Sequence, residues 1–205
     1  QIRGCTALIG RRLSRDRKAV VFYNRGNALM KKTRVADAIA DFTSALSLNG
    51  QYAQALFNRA IAYQVIADRT AALRDMDAYL LLVPSDADAL AMRGAMYLAQ
   101  NKPELAEADL DKALERNPAQ ASALVSRGHV RLRAKRFAEA LADYEAALQL
   151  NPENAEALYG RGVARVASGN RKDGEADMAS AEMVEQGVGS RVAALGVMAS
   201  APAAP

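Results

Sequence analysis

The stretch ASALVSRGHVRLRAKRFAEALADYEAALQLNPEN, residues 121–154, contains two segments whose apolar and small residues recur at helical spacing. In the first segment, Leu124, Gly128 and Leu132 stand four residues apart and share one helical face. The second segment ends just before Pro152, which cannot continue a helix. The stretch therefore predicts two helices joined by the short polar connector RAKR.

These features recur with a period of 34 residues. Prolines 84, 118 and 152 share the period. An arginine followed by a small residue also recurs, as Arg25-Gly26, Arg59-Ala60, Arg93-Gly94, Arg127-Gly128 and Arg161-Gly162. Because several residue types share this period, the sequence predicts five consecutive units without gaps. They span residues 19–52, 53–86, 87–120, 121–154 and 155–188. A single helical hairpin cannot bury its own apolar face, so neighbouring units are expected to stack.

The repeated pattern resembles that of the tetratricopeptide repeat (TPR) family. In the third unit it is carried by Leu90, Gly94, Tyr97, Ala106, Leu110, Ala113 and Pro118. The resemblance implies an all-α fold, a right-handed superhelical α-solenoid of antiparallel helix pairs. It also implies that the first helices of the units line a concave groove, where peptides bind.

The arginines have partners in fixed phase. Aspartates stand sixteen residues after them, at Asp41, Asp75, Asp109, Asp143 and Asp177. Because a guanidinium can bind a carboxylate with two parallel hydrogen bonds, we expect a structural ladder of ion pairs, within units or between neighbours. The alternative is that the arginines bind a ligand. The glycines predict close helix crossings, with Ala38 and Ala45 as the counterparts of Gly26.

The residues needed for catalysis are scarce. His129 is the only histidine and Cys5 the only cysteine, and no histidines and cysteines cluster with metal-ligand spacing. The glycines lie too far apart to form a phosphate-binding loop. We therefore predict no enzyme activity, no cofactor and no metal site.

Positions on the first helices supply the candidates for a peptide-binding groove. They are Tyr23, Asn24, Asn27, Phe57, Asn58, Ile61, Gln64, Met92, Leu98, His129 and Tyr159. The set is apolar or amide-bearing, which favours a peptide or partner helix with apolar anchors. TPR proteins that bind chaperone tails use lysine and arginine in the groove, but Tyr23, Asp88 and Met92 replace those cations here.

The two ends differ from the repeats. Residues 1–18 predict an N-terminal capping helix and a basic connector, with Ser14 able to cap the following helix. Residues 189–205 predict a short C-terminal cap, over 190–199, and a disordered tail. The chain carries a formal charge of +4, but its first 34 residues hold ten basic residues and one aspartate, Asp16. This basic end is either a solvated charged surface or a contact for an acidic protein or an anionic membrane surface, whereas the lack of aromatic residues among its cations argues against nucleic acid.

The sequence as a whole predicts a non-catalytic scaffold or adaptor with a protein or peptide ligand. The alternatives are the recognition segment of a larger enzyme and self-association through the ends of the array. The half-unit ending in CTALI, followed by the basic connector, resembles a group of bacterial TPR proteins, many of them exported. That resemblance leaves cytoplasm and periplasm open.

Overall fold

The computed structural model describes residues 1–10 and 12–197. In that part of the chain all regular secondary structure is α-helical, which confirms the predicted all-α class. The helices are α1 Ile2–Ile9, α2 Arg15–Met30, α3 Val35–Leu48, α4 Ala53–Val65, α5 Arg69–Leu82, α6 Ala87–Ala99, α7 Pro103–Arg116, α8 Ala121–Arg133, α9 Phe137–Leu150, α10 Ala155–Ala167, α11 Arg171–Val184 and α12 Val188–Ala194.

Local sequence signals set many helix ends. The Ser14 hydroxyl accepts a hydrogen bond from the Arg17 backbone N–H at 3.4 Å, so α2 begins four residues before the expected unit boundary at 19. Asp68 caps α5 in the same way, at 3.0 Å. Pro103 is the first residue of α7, where its missing N–H costs nothing. Helices α5, α7 and α9 end two residues before a proline, as predicted.

The turn inside each hairpin contains one residue in the left-handed region. These residues are Thr33, Ala67, Asn101 and Lys135, with φ between 56° and 59°, and Gly169, with φ of 91°. They share the 34-residue period, but only the last is the glycine that such a backbone favours. The side-chain-bearing residues cost about 1 kcal/mol each in this conformation, so helix packing fixes the turn against the local preference.

The chain forms two compact units, one of Gln1–Ala89 and one that begins at Leu90, within α6. In the first unit α2 packs against α3 and α4 against α5, while α3 also packs against α4. Helix α1 packs against α2, as expected of a cap. Leu29, Ala38, Phe42 and Ala62 form a buried cluster that Ile2 of α1 and Tyr23 help to cover.

In the second unit α8 pairs with α9 and α10 with α11, and α9 packs against α10. Helix α12 lies against α10 and α11 and fully buries Val188 and Val192. It begins two residues before the predicted cap at 190–199. The last two residues of that cap and the predicted disordered tail fall outside the described residues.

The glycine of each arginine–glycine pair lies against the second helix of its own repeat. A Cβ on Gly26 would come within 2.6 Å of the Phe42 ring, and one on Gly128 within 2.6 Å of the Tyr144 ring. The atoms nearest to Gly26 belong to the Phe42 ring and not to the expected counterparts Ala38 and Ala45. In the fifth repeat, however, a Cβ on Gly162 would come within 2.6 Å of the carbonyl oxygen of Gly174, which stands at the position of Ala38. Phe42 stands sixteen residues after Gly26, as each aspartate does after its arginine.

Candidate protein-binding site

Each repeat contains an arginine bound to an aspartate through two parallel hydrogen bonds. Arg25 Nε donates to Asp41 Oδ2 at 2.6 Å and Arg25 Nη2 to Asp41 Oδ1 at 2.7 Å. The same two bonds, at 2.6 to 3.1 Å, join Arg59 to Asp75, Arg93 to Asp109, Arg127 to Asp143 and Arg161 to Asp177. The five aspartates are buried. Every pair lies within one repeat and ties its first helix to its second.

Arg25, Arg59 and Arg127 also reach back to the element before them through Nη1. The bonds run from Arg25 to Thr6, from Arg59 to Thr43 and from Arg127 to Asp111, at 3.1, 3.0 and 2.8 Å. The sequence reasoning missed these contacts, although Thr43, Asp77, Asp111 and Glu145 share the 34-residue period. The guanidinium therefore fastens neighbouring repeats as well as its own hairpin.

The hydrogen bonds of these arginines keep the guanidinium groups charged and engage their nitrogen atoms within the protein. The hydrogen bonds that Arg59 donates to Asp75 raise the pKa of Arg59 above its ordinary value, although burial acts in the opposite direction. Hydrogen bonding to Asp41 raises the pKa of Arg25 in the same way. In both residues, Nε and Nη2 already bind the buried carboxylate and Nη1 binds a threonine. We infer that these side chains hold repeats together and leave recognition to their neighbours.

The first-helix face of the first unit brings several of the predicted groove residues together. Asn58 of α4 donates from Nδ2 to Asn27 Oδ1 at 2.7 Å and to the Tyr23 hydroxyl at 3.3 Å, both in α2. Asn27 and Asn58 are half-buried, and Asn24 on α2 is exposed. We call the surface of Tyr23, Asn24, Asn27, Phe57, Asn58, Ile61 and Gln64 the α2–α4 face.

The amide pair on the α2–α4 face has hydrogen-bonding capacity left. Among the described residues, neither Asn27 Nδ2 nor Asn58 Oδ1 has a protein partner. One donor and one acceptor side by side match the backbone N–H and C=O of an extended peptide. Every side chain of this face is neutral, so hydrogen bonds and apolar contacts are its means of recognition.

Aromatic packing holds the apolar part of this face in place. The Tyr23 ring lies 5.0 Å from the Tyr52 ring, and the Phe57 ring lies 5.1 Å from the Tyr79 ring. The Tyr79 hydroxyl donates to Asp86 Oδ2 at 2.5 Å. Burial, helped by this bond, raises the pKa of Tyr79 to about 12, so the hydroxyl stays protonated. Phe57 and Ile61 are half-buried and present apolar surface beside the amides.

In the second unit the predicted groove residues separate into accessible and buried ones. Met92 and Tyr159 are half-buried, and a Cβ on Gly189 of α12 would come within 2.7 Å of the Tyr159 ring. Leu98 is 3% exposed and His129 is 1% exposed, so the prediction that they line an open groove is wrong. Both point into the packed interior between helices.

His129 lies in an apolar environment beside an aromatic ring. Its ring centroid is 5.6 Å from that of Tyr144. His129 Nε2 and the Tyr144 hydroxyl are both buried without a hydrogen-bond partner in the described part of the chain. Burial lowers the pKa of His129 from 6.5 to about 4, against the opposite effect of Glu156. The imidazole is therefore neutral near pH 7 and acts as a core side chain.

The described residues hold neither a metal-binding cluster nor a helix able to span a membrane. They contain no group of histidine, cysteine and carboxylate side chains arranged to hold a metal ion. None of the helices in residues 1–10 and 12–197 combines the length and hydrophobicity that a membrane span requires.

The helical hairpins, the small-residue crossings and the 34-residue phase define a TPR-type repeat array. The tetratricopeptide repeat profile matches residues 23–65, 66–121 and 97–148, and a second TPR repeat profile matches 128–169. The chain therefore belongs to the tetratricopeptide repeat family. Proteins of this family are generally non-catalytic scaffolds for protein–protein interaction.

Solved structures agree with this fold. The structure is similar to YrrB, described as a TPR protein with an unusual peptide-binding site, at 23% identity over 90% of this chain and 94% of YrrB, with a TM-score of 0.74. MamA from Desulfovibrio magneticus has 20% identity over 82% of this chain and 96% of MamA, with a TM-score of 0.74. A TPR protein from Parabacteroides merdae has 20% identity over 93% and 78%, with a TM-score of 0.76. At these identities the likeness shows the fold. No curated protein sequence matches the chain significantly.

Proposed function

We propose that this protein is a non-catalytic scaffold that binds a peptide or a partner helix on the α2–α4 face. The observation that carries the proposal is the amide pair of Asn27 and Asn58, which is held by an internal hydrogen bond and still offers one donor and one acceptor. Half-buried Phe57 and Ile61 stand beside it and supply apolar contact.

The composition of the face favours a ligand with a neutral, apolar anchor. A charged ligand group placed here would lose hydration without gaining an opposite charge, which is unfavourable. A peptide backbone, in contrast, can exchange its bonds to water for bonds to the two amides. YrrB, a protein of similar fold, is described as having a peptide-binding site, which supports a peptide ligand here.

Replacing Ile61 by aspartate should weaken binding of a purified partner at least about tenfold, because the change puts a charge into the apolar contact. Partners are first captured with the wild-type protein and identified, and the affinity of each purified partner is then measured by calorimetry. Asn58→Ala, which removes the amide pair, should weaken the same partner.

Ala36→Asp is the matched control. Ala36 is exposed on α3, and an aspartate there lies in the first turn of the helix, where a negative charge is tolerated. The control should bind as the wild type does. Equal affinity of Ile61→Asp and the wild type for every captured partner would contradict the assignment of the α2–α4 face.

A further inference from the structure

The N-terminal end of the first unit has a second surface with recognition chemistry of a different kind. Leu8 at the end of α1, Leu13 in the connector and Val20 and Val21 of α2 line an open hollow of about 380 Å³, together with parts of Asp16 and Arg17. The surface inside it is apolar. We call it the N-terminal hollow.

The apolar side chains of this hollow are accessible. Val20 is 45% exposed and Leu8 is 38% exposed, whereas Ile2 at the other end of α1 packs against the core cluster of the unit. Packing α1 against α2 therefore leaves the Leu8 side chain exposed. A hollow of this kind receives a projecting apolar side chain from a partner.

Arg17 lines the hollow together with one acidic residue, Asp16, and Arg12 directly precedes Leu13 of the lining. Arg12 and Arg17 are exposed, and no described residue forms an ion pair with either of them. Arg15 differs, because its guanidinium donates to the carbonyl oxygens of Leu48 and Ser47 at 2.7 and 3.1 Å. The first 34 residues hold ten basic residues against Asp16, and two of the ten, Arg25 and Arg34, pair with Asp41 and Asp37. The remaining excess of cations makes the potential at this end of the unit positive.

We propose that the N-terminal hollow binds an acidic peptide segment of another protein that carries an apolar anchor. The anchor, a leucine, isoleucine, methionine or phenylalanine, enters between Leu8 and Val20. Carboxylates next to it pair with Arg12 and Arg17, which are free to form the bidentate bonds that guanidinium groups favour. This site differs from the α2–α4 face, whose side chains are all neutral, and the proposal does not depend on that face.

The shape of the surface favours a peptide over a membrane. Binding to a lipid surface requires apolar side chains that project outward into the acyl region, with cations around them. Here the exposed leucine and valine line an open hollow, which can accept an inserted side chain. The apolar lining equally disfavours a nucleic-acid backbone, which would place only phosphates and sugars against it.

Selection from a displayed random peptide library tests the proposal, with the whole protein as the target. The test variant is Val20→Asp, which puts a carboxylate into the hollow at an exposed position. The control is Leu81→Asp, which makes the same kind of change at an 85% exposed leucine of α5 in the same unit. Ile61→Asp serves as a third target, because it alters the α2–α4 face alone.

We expect one class of peptides to bind the wild type, Leu81→Asp and Ile61→Asp but not Val20→Asp. Its sequences should combine aspartate or glutamate with a large apolar residue. Their affinity, measured by fluorescence anisotropy, should fall at least about tenfold for Val20→Asp and for the Arg12→Ala/Arg17→Ala double variant. It should also fall with added salt, because exposed ion pairs are screened.

Three results would overturn the proposal. The first is the absence of any acidic, apolar class that distinguishes the wild type from Val20→Asp. The second is Val20-dependent binding to phosphatidylserine-containing vesicles without such peptides, which would assign the hollow to a membrane. The third is self-association of the wild type that Val20→Asp abolishes, which would assign the hollow to a second copy of the chain. If Ile61→Asp no longer binds peptides that lack charged residues, that result tests the α2–α4 face and not the N-terminal hollow.

Discussion

Asp75→Ala should lower the free energy of unfolding by about 3–5 kcal/mol, because it leaves the Arg59 guanidinium without a carboxylate. The Arg59 side chain is 17% exposed and that of Asp75 is 5% exposed, so water cannot fully replace the lost partner. The remaining bond of Arg59, to the Thr43 hydroxyl, does not neutralise its charge. Urea unfolding followed by the helical circular dichroism signal measures the effect.

Asp37→Ala is the matched control in the same unit. Asp37 pairs with Arg34 three residues earlier, but the two side chains are 53% and 57% exposed. Pairs of this kind contribute about 0–1 kcal/mol, so the control should unfold nearly as the wild type does. If both alanine variants had the same small effect, the buried pairs would not be what holds each hairpin together.

Acidification from pH 6.5 to pH 4 should destabilise the protein by about 3 kcal/mol through His129 alone. Burial lowers the pKa of this imidazole to about 4 in the folded chain, whereas the unfolded chain takes up the proton near 6.5. Above pH 6.5 both states are neutral and the stability contribution is complete. As the pH falls, only the unfolded state gains a proton, so stability declines until the pH reaches the folded pKa.

Two measurements isolate this effect from the titration of carboxylates. His129 is the only histidine, so its imidazole proton resonances identify its titration directly by NMR. The difference in unfolding free energy between the wild type and His129→Leu should also change between pH 7 and pH 4. A resonance that titrates near 6.5, with a difference independent of pH, would show that the imidazole is not buried as described.

The periodicity of the sequence predicted the hairpins and the partners of the arginines well. Both depend on fixed spacing along helices, and a 34-residue period repeats that spacing in every unit. The same reasoning extends to contacts that were missed, since Phe42 follows Gly26 by the sixteen residues that separate Arg25 from Asp41. The 34-residue period therefore predicts contacts between glycines and rings as well as the ion pairs.

The burial of a side chain was not predictable from the 34-residue period. Asn27, Ile61 and His129 occupy equivalent positions, yet the first two are half-buried and His129 is 1% exposed. The position of a residue within the repeat fixes the direction in which its side chain points. Burial depends also on the size of its neighbours in space, such as the Tyr144 ring beside His129, and these differ among repeats.

Site-specific photo-crosslinking tests the central claim most directly, that recognition occurs on the α2–α4 face while the arginines serve the fold. A photoreactive amino acid replaces exposed Asn24 on α2 in one variant and exposed Ala36 on α3 in another. A purified partner should crosslink to position 24 and not to position 36. Crosslinking at position 36 alone, or equally at both positions, would contradict the account.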